Sequence, residues 1–134
     1  MKIEGGCYCG QFSYRAEVDP DNVIICHCTD CQTLSGSAYR TVVPAIPGSF
    51  EPLSGELKVY VKTAENGTRR AQAFCPECGT PIYSAPDDGQ SEFFGLRVGA
   101  IRQRDRLIPG SQYWCRSAQS WVQNLSGMTR VETQ

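Results

Sequence analysis

Residues Gln11 to Val18 alternate cleanly, with Phe12, Tyr14, Ala16 and Val18 on one face, and read as a half-buried strand. Asp19-Pro20-Asp21-Asn22 follows as a turn, and Val23 to Cys26 is a short apolar strand. Thr29 to Ser35 has room for one or two helical turns, closed by Gly36. Ala38 to Ile46 reads as a strand ended by the Pro44 and Pro47 region, and Phe50 to Leu53 as a second short piece. Glu56 to Thr63 alternates Leu57, Val59 and Val61 with charged or aromatic positions and is the best strand in the chain. Glu65-Asn66-Gly67-Thr68 is a hairpin turn signal, and Arg69 to Phe74 returns from it. Pro81 to Ser84, Glu92 to Ile101 and Gln112 to Cys115 are further strand candidates, with Pro86-Asp87-Asp88-Gly89 as a turn. Ala118 to Leu125 reads as a short helix, while Lys2 to Gly6 is too short to assign.

No stretch makes a long amphipathic helix. Many short strands joined by Gly and Pro turns predict a small, mostly β, antiparallel domain with short helical turns. No linker or repeat divides it. The expected organisation is one domain over residues 1–125, with a frayed tail over 126–134. The 134 residues carry a formal charge of -1, from 13 basic and 14 acidic side chains. There is no basic stripe, long apolar span or N-terminal apolar leader. The expectation is therefore a cytoplasmic protein with a small-molecule partner, no nucleic-acid partner and no membrane partner. Oligomeric state has no sequence signal.

The chain has 8 cysteines, and seven fall into tight groups: Cys7/Cys9, Cys26/Cys28/Cys31 and Cys75/Cys78. Cysteines one or two residues apart favour a metal over a disulfide framework in a reducing compartment. Cys75-Pro76-Glu77-Cys78-Gly79 is a zinc knuckle in form. Cys7-Tyr8-Cys9-Gly10 can complete its ligand set as a closed, four-thiolate structural site. Cys26, Cys28 and Cys31 then remain with no cysteine pair to join them. Three protein ligands and one open position make the catalytic zinc pattern. Two other assignments stay open on the residues alone. His27 could be a fourth ligand, or Cys115 could close the trio. Cys115 lies in the apolar run Tyr113-Trp114-Cys115 and is expected to be a core thiol that binds no metal. His27 could also shuttle a proton or simply pack. With two zinc ions and seven thiolates the formal charge becomes about -4, which opposes phosphate binding. A thiolate-rich zinc is soft and suits an incoming thiol better than a hydrolytic water.

The motifs Gly5-Gly6-Cys7-Tyr8-Cys9-Gly10, Cys26-His27-Cys28-Thr29-Asp30-Cys31-Gln32, Gly36-Ser37 and Phe74-Cys75-Pro76-Glu77-Cys78-Gly79-Thr80 resemble the glutathione-dependent formaldehyde-activating enzyme family. That domain is shared with a centromere protein, and the resemblance runs from residue 5 to about Trp121. It implies a tent-like, mostly β zinc domain. It also implies a structural zinc on Cys7, Cys9, Cys75 and Cys78 and a catalytic zinc on Cys26, Cys28 and Cys31. The implied activity is a carbon-sulfur lyase reaction, in which glutathione condenses with formaldehyde to S-hydroxymethylglutathione. Two alternatives stand beside it: the same fold acting on another small substrate, and a non-catalytic zinc module binding a protein partner. One segment departs from the family pattern. Ile101-Arg102-Gln103-Arg104-Asp105-Arg106 is basic where members commonly carry an acidic loop, and it is expected to be either solvated or at the pocket edge. Arg69 and Arg70 read as a charged hairpin arm. Tyr39 and Arg40 are either ordinary strand positions or part of a pocket beside the trio.

Overall fold

The computed structural model describes residues 1–134. Two antiparallel strands open the chain, β1 (Lys2–Gly6) and β2 (Ser13–Glu17). The short β3 (Ile24–Cys26) leads into the one α-helix, α1 (Thr29–Ser35). Then follow β4 (Arg40–Pro44), β5 (Glu51–Ser54), β6 (Lys58–Thr63), β7 (Arg69–Phe74), β8 (Pro81–Pro86), β9 (Gly95–Arg97) and β10 (Ser111–Tyr113). They form a three-stranded sheet, β1-β2-β5, and a seven-stranded sheet in the order β10-β3-β4-β9-β8-β7-β6. The domain is mostly β with open sheets, one helix and short 3-10 turns, a small tent-like architecture.

Alternation explains the core. In β2 the inward Tyr14 and Ala16 are buried, and in β1 the inward Ile3 is buried. They meet Val43, Ile82, Leu96, Ile101 and Leu107 from the second sheet and its connections. An aromatic seam of Tyr14, Phe50, Tyr83 and Phe94 runs beside them, with Phe50 and Phe94 stacked at 4.6 Å.

Several expectations need correction. Lys2–Gly6 is a full strand, because all five of its residues pair with β2. Only Gly95–Arg97 of the 92–101 stretch is extended. Val98–Ala100 turns into a 3-10 helix, since pairing with β4 and β8 ends there. Residues 118–125 form turns rather than a helix, and none of them is buried, so no apolar face stabilises helical turns there. One strand pair, β10 with β3, is parallel. Strand β6 forms as expected but lies at a sheet edge, with Val59 and Tyr60 both exposed.

Candidate metal centres

The four outer cysteines converge from two turns. Cys7–Gly10 follows β1 and closes with the Gly10 amide donating to the Cys7 carbonyl at 3.2 Å. Cys75–Gly79 follows β7 and closes with the Gly79 amide donating to the Cys75 carbonyl at 2.9 Å. Gly10 and Gly79 sit at φ 82° and 75°, left-handed backbone that glycine adopts without Cβ strain. The Tyr8 amide donates to Thr80 Oγ1 at 3.0 Å and links the turns directly.

All four Sγ atoms lie within 4.8 Å of one another. Cys7 to Cys9 is 3.6 Å and Cys9 to Cys75 is 3.8 Å. A tetrahedron with metal–sulfur bonds of about 2.3 Å has edges of about 3.8 Å, a spacing that the sulfurs of these two pairs match. Donors surround them: the Phe12 amide to Cys7 Sγ at 3.3 Å, Gln11 Nε2 to Cys75 Sγ at 3.3 Å, and the Thr80 hydroxyl 3.1 Å from Cys78 Sγ. The Thr80 hydroxyl and amide pull the Cys78 thiol down to about 5. Cys9 feels the lowering pull of the Gln11 amide, yet desolvation and the neighbouring sulfurs push it up to about 12. Four sulfurs this close cannot all ionise without a cation between them, and a divalent soft ion supplies it.

The second cluster is built at the junction of β3 and α1. Cys28 is the helix N-cap, and its Sγ accepts from the Cys31 amide at 3.3 Å. Gly36, in left-handed backbone at φ 64°, caps the other end. The Sγ atoms of Cys26, Cys28 and Cys31 lie within 4.8 Å of one another, and no other His, Cys, Asp or Glu joins them. Cys31 donating to Cys26 is the main cause that lowers the Cys26 thiol to about 5, while the same bond, with burial, raises Cys31. The donor set is three sulfurs with one charge already placed, which fits a thiophilic ion with an open position.

His27 does not join the trio. Its ring is buried between the ligand positions, with Nε2 2.8 Å from Gln112 Oε1 and the Tyr39 ring edge-on at 5.6 Å. Gln32 braces the same loop, donating from Nε2 to the carbonyls of His27 and Ser117 at 2.8 and 2.9 Å. Cys115 joins neither cluster. It is exposed rather than a core thiol, because Tyr113 and Trp114 stand out from the sheet edge instead of packing inward.

A cleft of about 830 Å³ opens beside the trio, lined by Cys28, Asp30, Lys62, Asn66, Trp114 and Arg116. Lys62 pairs with Asp30 at 2.7 Å, and the Arg116 guanidinium lies 4.8 Å over the Trp114 ring. Trp114 alone among non-glycine residues has a positive φ, 58°. The basic loop is elsewhere. Arg102 pairs with Glu4 at 3.0 Å, and Arg102 and Arg104 border the Cys7 turn rather than this cleft. Arg69 pairs with Asp87 at 2.8 Å, the charged hairpin arm expected. Arg40 is buried on the Cys26 side of β4, and Arg97, which the sequence did not single out, is buried near it. No local motif marks Arg97. Only the β4–β9 pairing brings it there.

Residues 2–117 match the family described as glutathione-dependent formaldehyde-activating enzyme. The chain belongs to this family. The match spans both cysteine clusters and the cleft beside the three-cysteine one. Among curated relatives, an uncharacterized lyase of Schizosaccharomyces pombe is 26% identical over 93 residues, 69% of this chain and 64% of that protein. The chain thus spans less than two thirds of that relative's length. A crystal structure of a Rhodobacter sphaeroides protein superposes with a TM-score of 0.61 at 18% identity, covering 81% of this chain and 98% of the other. That likeness concerns the fold. No helix of the family member described here is long and apolar enough to cross a membrane.

Proposed function

We propose that this protein is a zinc-dependent lyase-type enzyme that joins a thiol to a small carbonyl compound, with two zinc ions per chain. Glutathione and formaldehyde, giving S-hydroxymethylglutathione, are the reference substrates of the family. The observation that carries the reading is the three-sulfur cluster, which has no fourth protein donor and has a cleft at Cys28. Cys7, Cys9, Cys75 and Cys78 hold the structural ion, and Cys26, Cys28 and Cys31 hold the second.

Zinc at the trio supplies Lewis acidity that favours the thiolate form of an entering thiol. The chain's own residues do the rest. The cleft wall of Lys62, Asn66, Trp114 and Arg116 receives the body of the thiol compound. Arg40 and Arg97 set a positive field next to Cys26 and Cys31. That field favours both the sulfur anion and the oxygen anion that follows it. In the reaction the sulfur lone pair forms a carbon–sulfur bond, the carbonyl π pair moves to oxygen, and the thiol's proton ends on that oxygen. No oxidant or reductant is needed. The lyase direction is the reverse cleavage. The curated relative's lyase description supports the same class.

Zinc-edge absorption with and without glutathione tests the site. One added sulfur at one of two zinc ions is expected. Two sites filled wholly by protein sulfur would instead favour a zinc module that binds a protein partner. NMR exchange of glutathione with formaldehyde tests the reaction. No acceleration over the spontaneous condensation in fully loaded protein would remove these substrates and leave the family fold standing.

A further inference from the structure

Strand β4 pairs with β3 so that Cys26 faces Arg40, and with β9 so that Val42 faces Arg97. Residues opposite one another across an antiparallel pair share a face. Cys26, Arg40, Val42 and Arg97 therefore project from one face of the large sheet. Gln72 on β7 shares it, since Arg97 Nη2 donates to Gln72 Oε1 at 2.7 Å. Lys62 on β6 reaches the same side and meets Asp30 of α1.

The two arginines are unusual in what they lack. Arg40 is 6% exposed and Arg97 8%. Neither is in an ion pair with any carboxylate. Arg40 Nε and Nη2 and Arg97 Nε are buried with no acceptor. Burial first, and then repulsion by Arg40, lowers the Arg97 guanidinium to about 9. Two buried like charges with no anion against them, and with the Arg97 bond to neutral Gln72 as the side-chain acceptor contact between them, imply a missing anion. The cysteine trio supplies part of it. Three thiolates around a divalent ion would leave one negative charge against the two guanidinium charges, and Arg70 adds to the positive side, so an anion is still called for. A sulfur is a poor acceptor for a guanidinium fork, whereas a carboxylate matches it in both charge and spacing. Beside the pair lies a hollow of about 310 Å³ that takes in Ser35, Ser37, Tyr39 and Thr41 as well as both arginines. It has room for a carboxylate and the carbon skeleton that carries it.

We propose that Arg40 and Arg97 form a carboxylate-binding pocket beside the three-cysteine cluster, so that the substrate is a small thiol, or thiol adduct, that carries a carboxylate. The thiol half of this statement rests on the function proposed above. The carboxylate half rests on the arginines alone.

The test compares mercaptoacetate with its methyl ester on the zinc-loaded protein by calorimetry, with acetate and sulfate as further probes. Mercaptoacetate is expected to bind at least roughly tenfold more tightly than the ester, the worth of a charge-assisted pair. Acetate is expected to shift the Arg40 and Arg97 Nε–H signals in nitrogen-15 spectra. Arg97→Lys and Arg40→Gln should each collapse most of the acid-to-ester affinity ratio, a ratio in which any change of the field at the sulfur, common to both ligands, cancels. Equal affinity for acid and ester in the unaltered protein would overturn the pocket, and that comparison needs no variant to fold. Tighter binding of sulfate than of acetate would overturn the carboxylate assignment. Zinc-edge absorption separates the two halves. If acetate binding depends on the arginines but mercaptoacetate adds no sulfur to zinc, the pocket stands and the thiol reading fails. If sulfur is added but acid and ester bind alike, the reverse holds.

Discussion

A thiol that shares its proton with two neighbours is not an ordinary cysteine. With the trio emptied by mild chelation and the four-cysteine site still loaded, Cys26 is the thiolate of the group, lowered to about 5 by the Cys31 S–H, the Cys28 amide and Lys62. A lowered thiol is ionised above that value and protonated below it. Iodoacetamide should therefore modify Cys26 first, at a rate flat down to roughly pH 6 and falling about tenfold per unit below about 5. Cys31, raised by the same bond, should stay unmodified, and peptide mapping reads both. Cys115 makes the contrast. Its Sγ is exposed and stands 3.6 Å from the Gln112 carbonyl, so Cys115→Ser should change stability by no more than about 0.5 kcal/mol and keep both zinc ions. Denaturant titration and metal analysis check this. The apolar neighbours Tyr113 and Trp114 suggested a buried thiol. Exposed aromatics beside a cleft give the same local pattern as a core strand, and only tertiary placement separates them.

Strand β1 carries two glycines, and one of them is required by packing rather than by a turn. A Cβ at Gly5 would fall inside the buried Tyr14 ring on the facing strand. Gly5→Ala should cost about 1–3 kcal/mol, the range for overpacking a filled core, read as a lower denaturant midpoint. The same glycines hid the strand, because glycine weakens strand propensity while the Tyr14 ring makes it necessary here. Elements with strong local punctuation were legible. The Asn66-Gly67 turn placed β6 and β7, and Gly36 placed the end of α1. Elements fixed by partners were not. The 3-10 turn at Val98–Ala100 and the turns at 118–125 follow from where pairing and burial stop. Both cysteine clusters were legible from spacing, because short loops impose their own geometry. The Arg40–Arg97 pair was half hidden, because Arg97 reaches Arg40 through strand register, which the sequence of either strand alone does not contain.

The two cysteine clusters differ in what they hold together. Cys26 to Cys31 is a single six-residue stretch, so Cys28→Ser should lose one zinc equivalent and leave the domain folded by circular dichroism. The outer cluster joins the β1–β2 turn of one sheet to the β7–β8 turn of the other. A structural zinc contributes on the order of 10 kcal/mol, comparable to the whole stability of a domain, so Cys75→Ala should abolish soluble folded protein. Well-folded Cys75→Ala with two zinc ions would sink the assignment. Cys9 and Cys75 are 66 positions apart, and closing so long a loop costs about 4 kcal/mol of chain entropy. During synthesis, Cys7 and Cys9 leave the ribosome first and wait on the order of several seconds for Cys75 and Cys78. In that interval a lone cysteine pair is open to oxidants and to copper. With zinc as the proposed ion, its scarcity would act on the yield of newly made chains before it acted on the activity of finished ones.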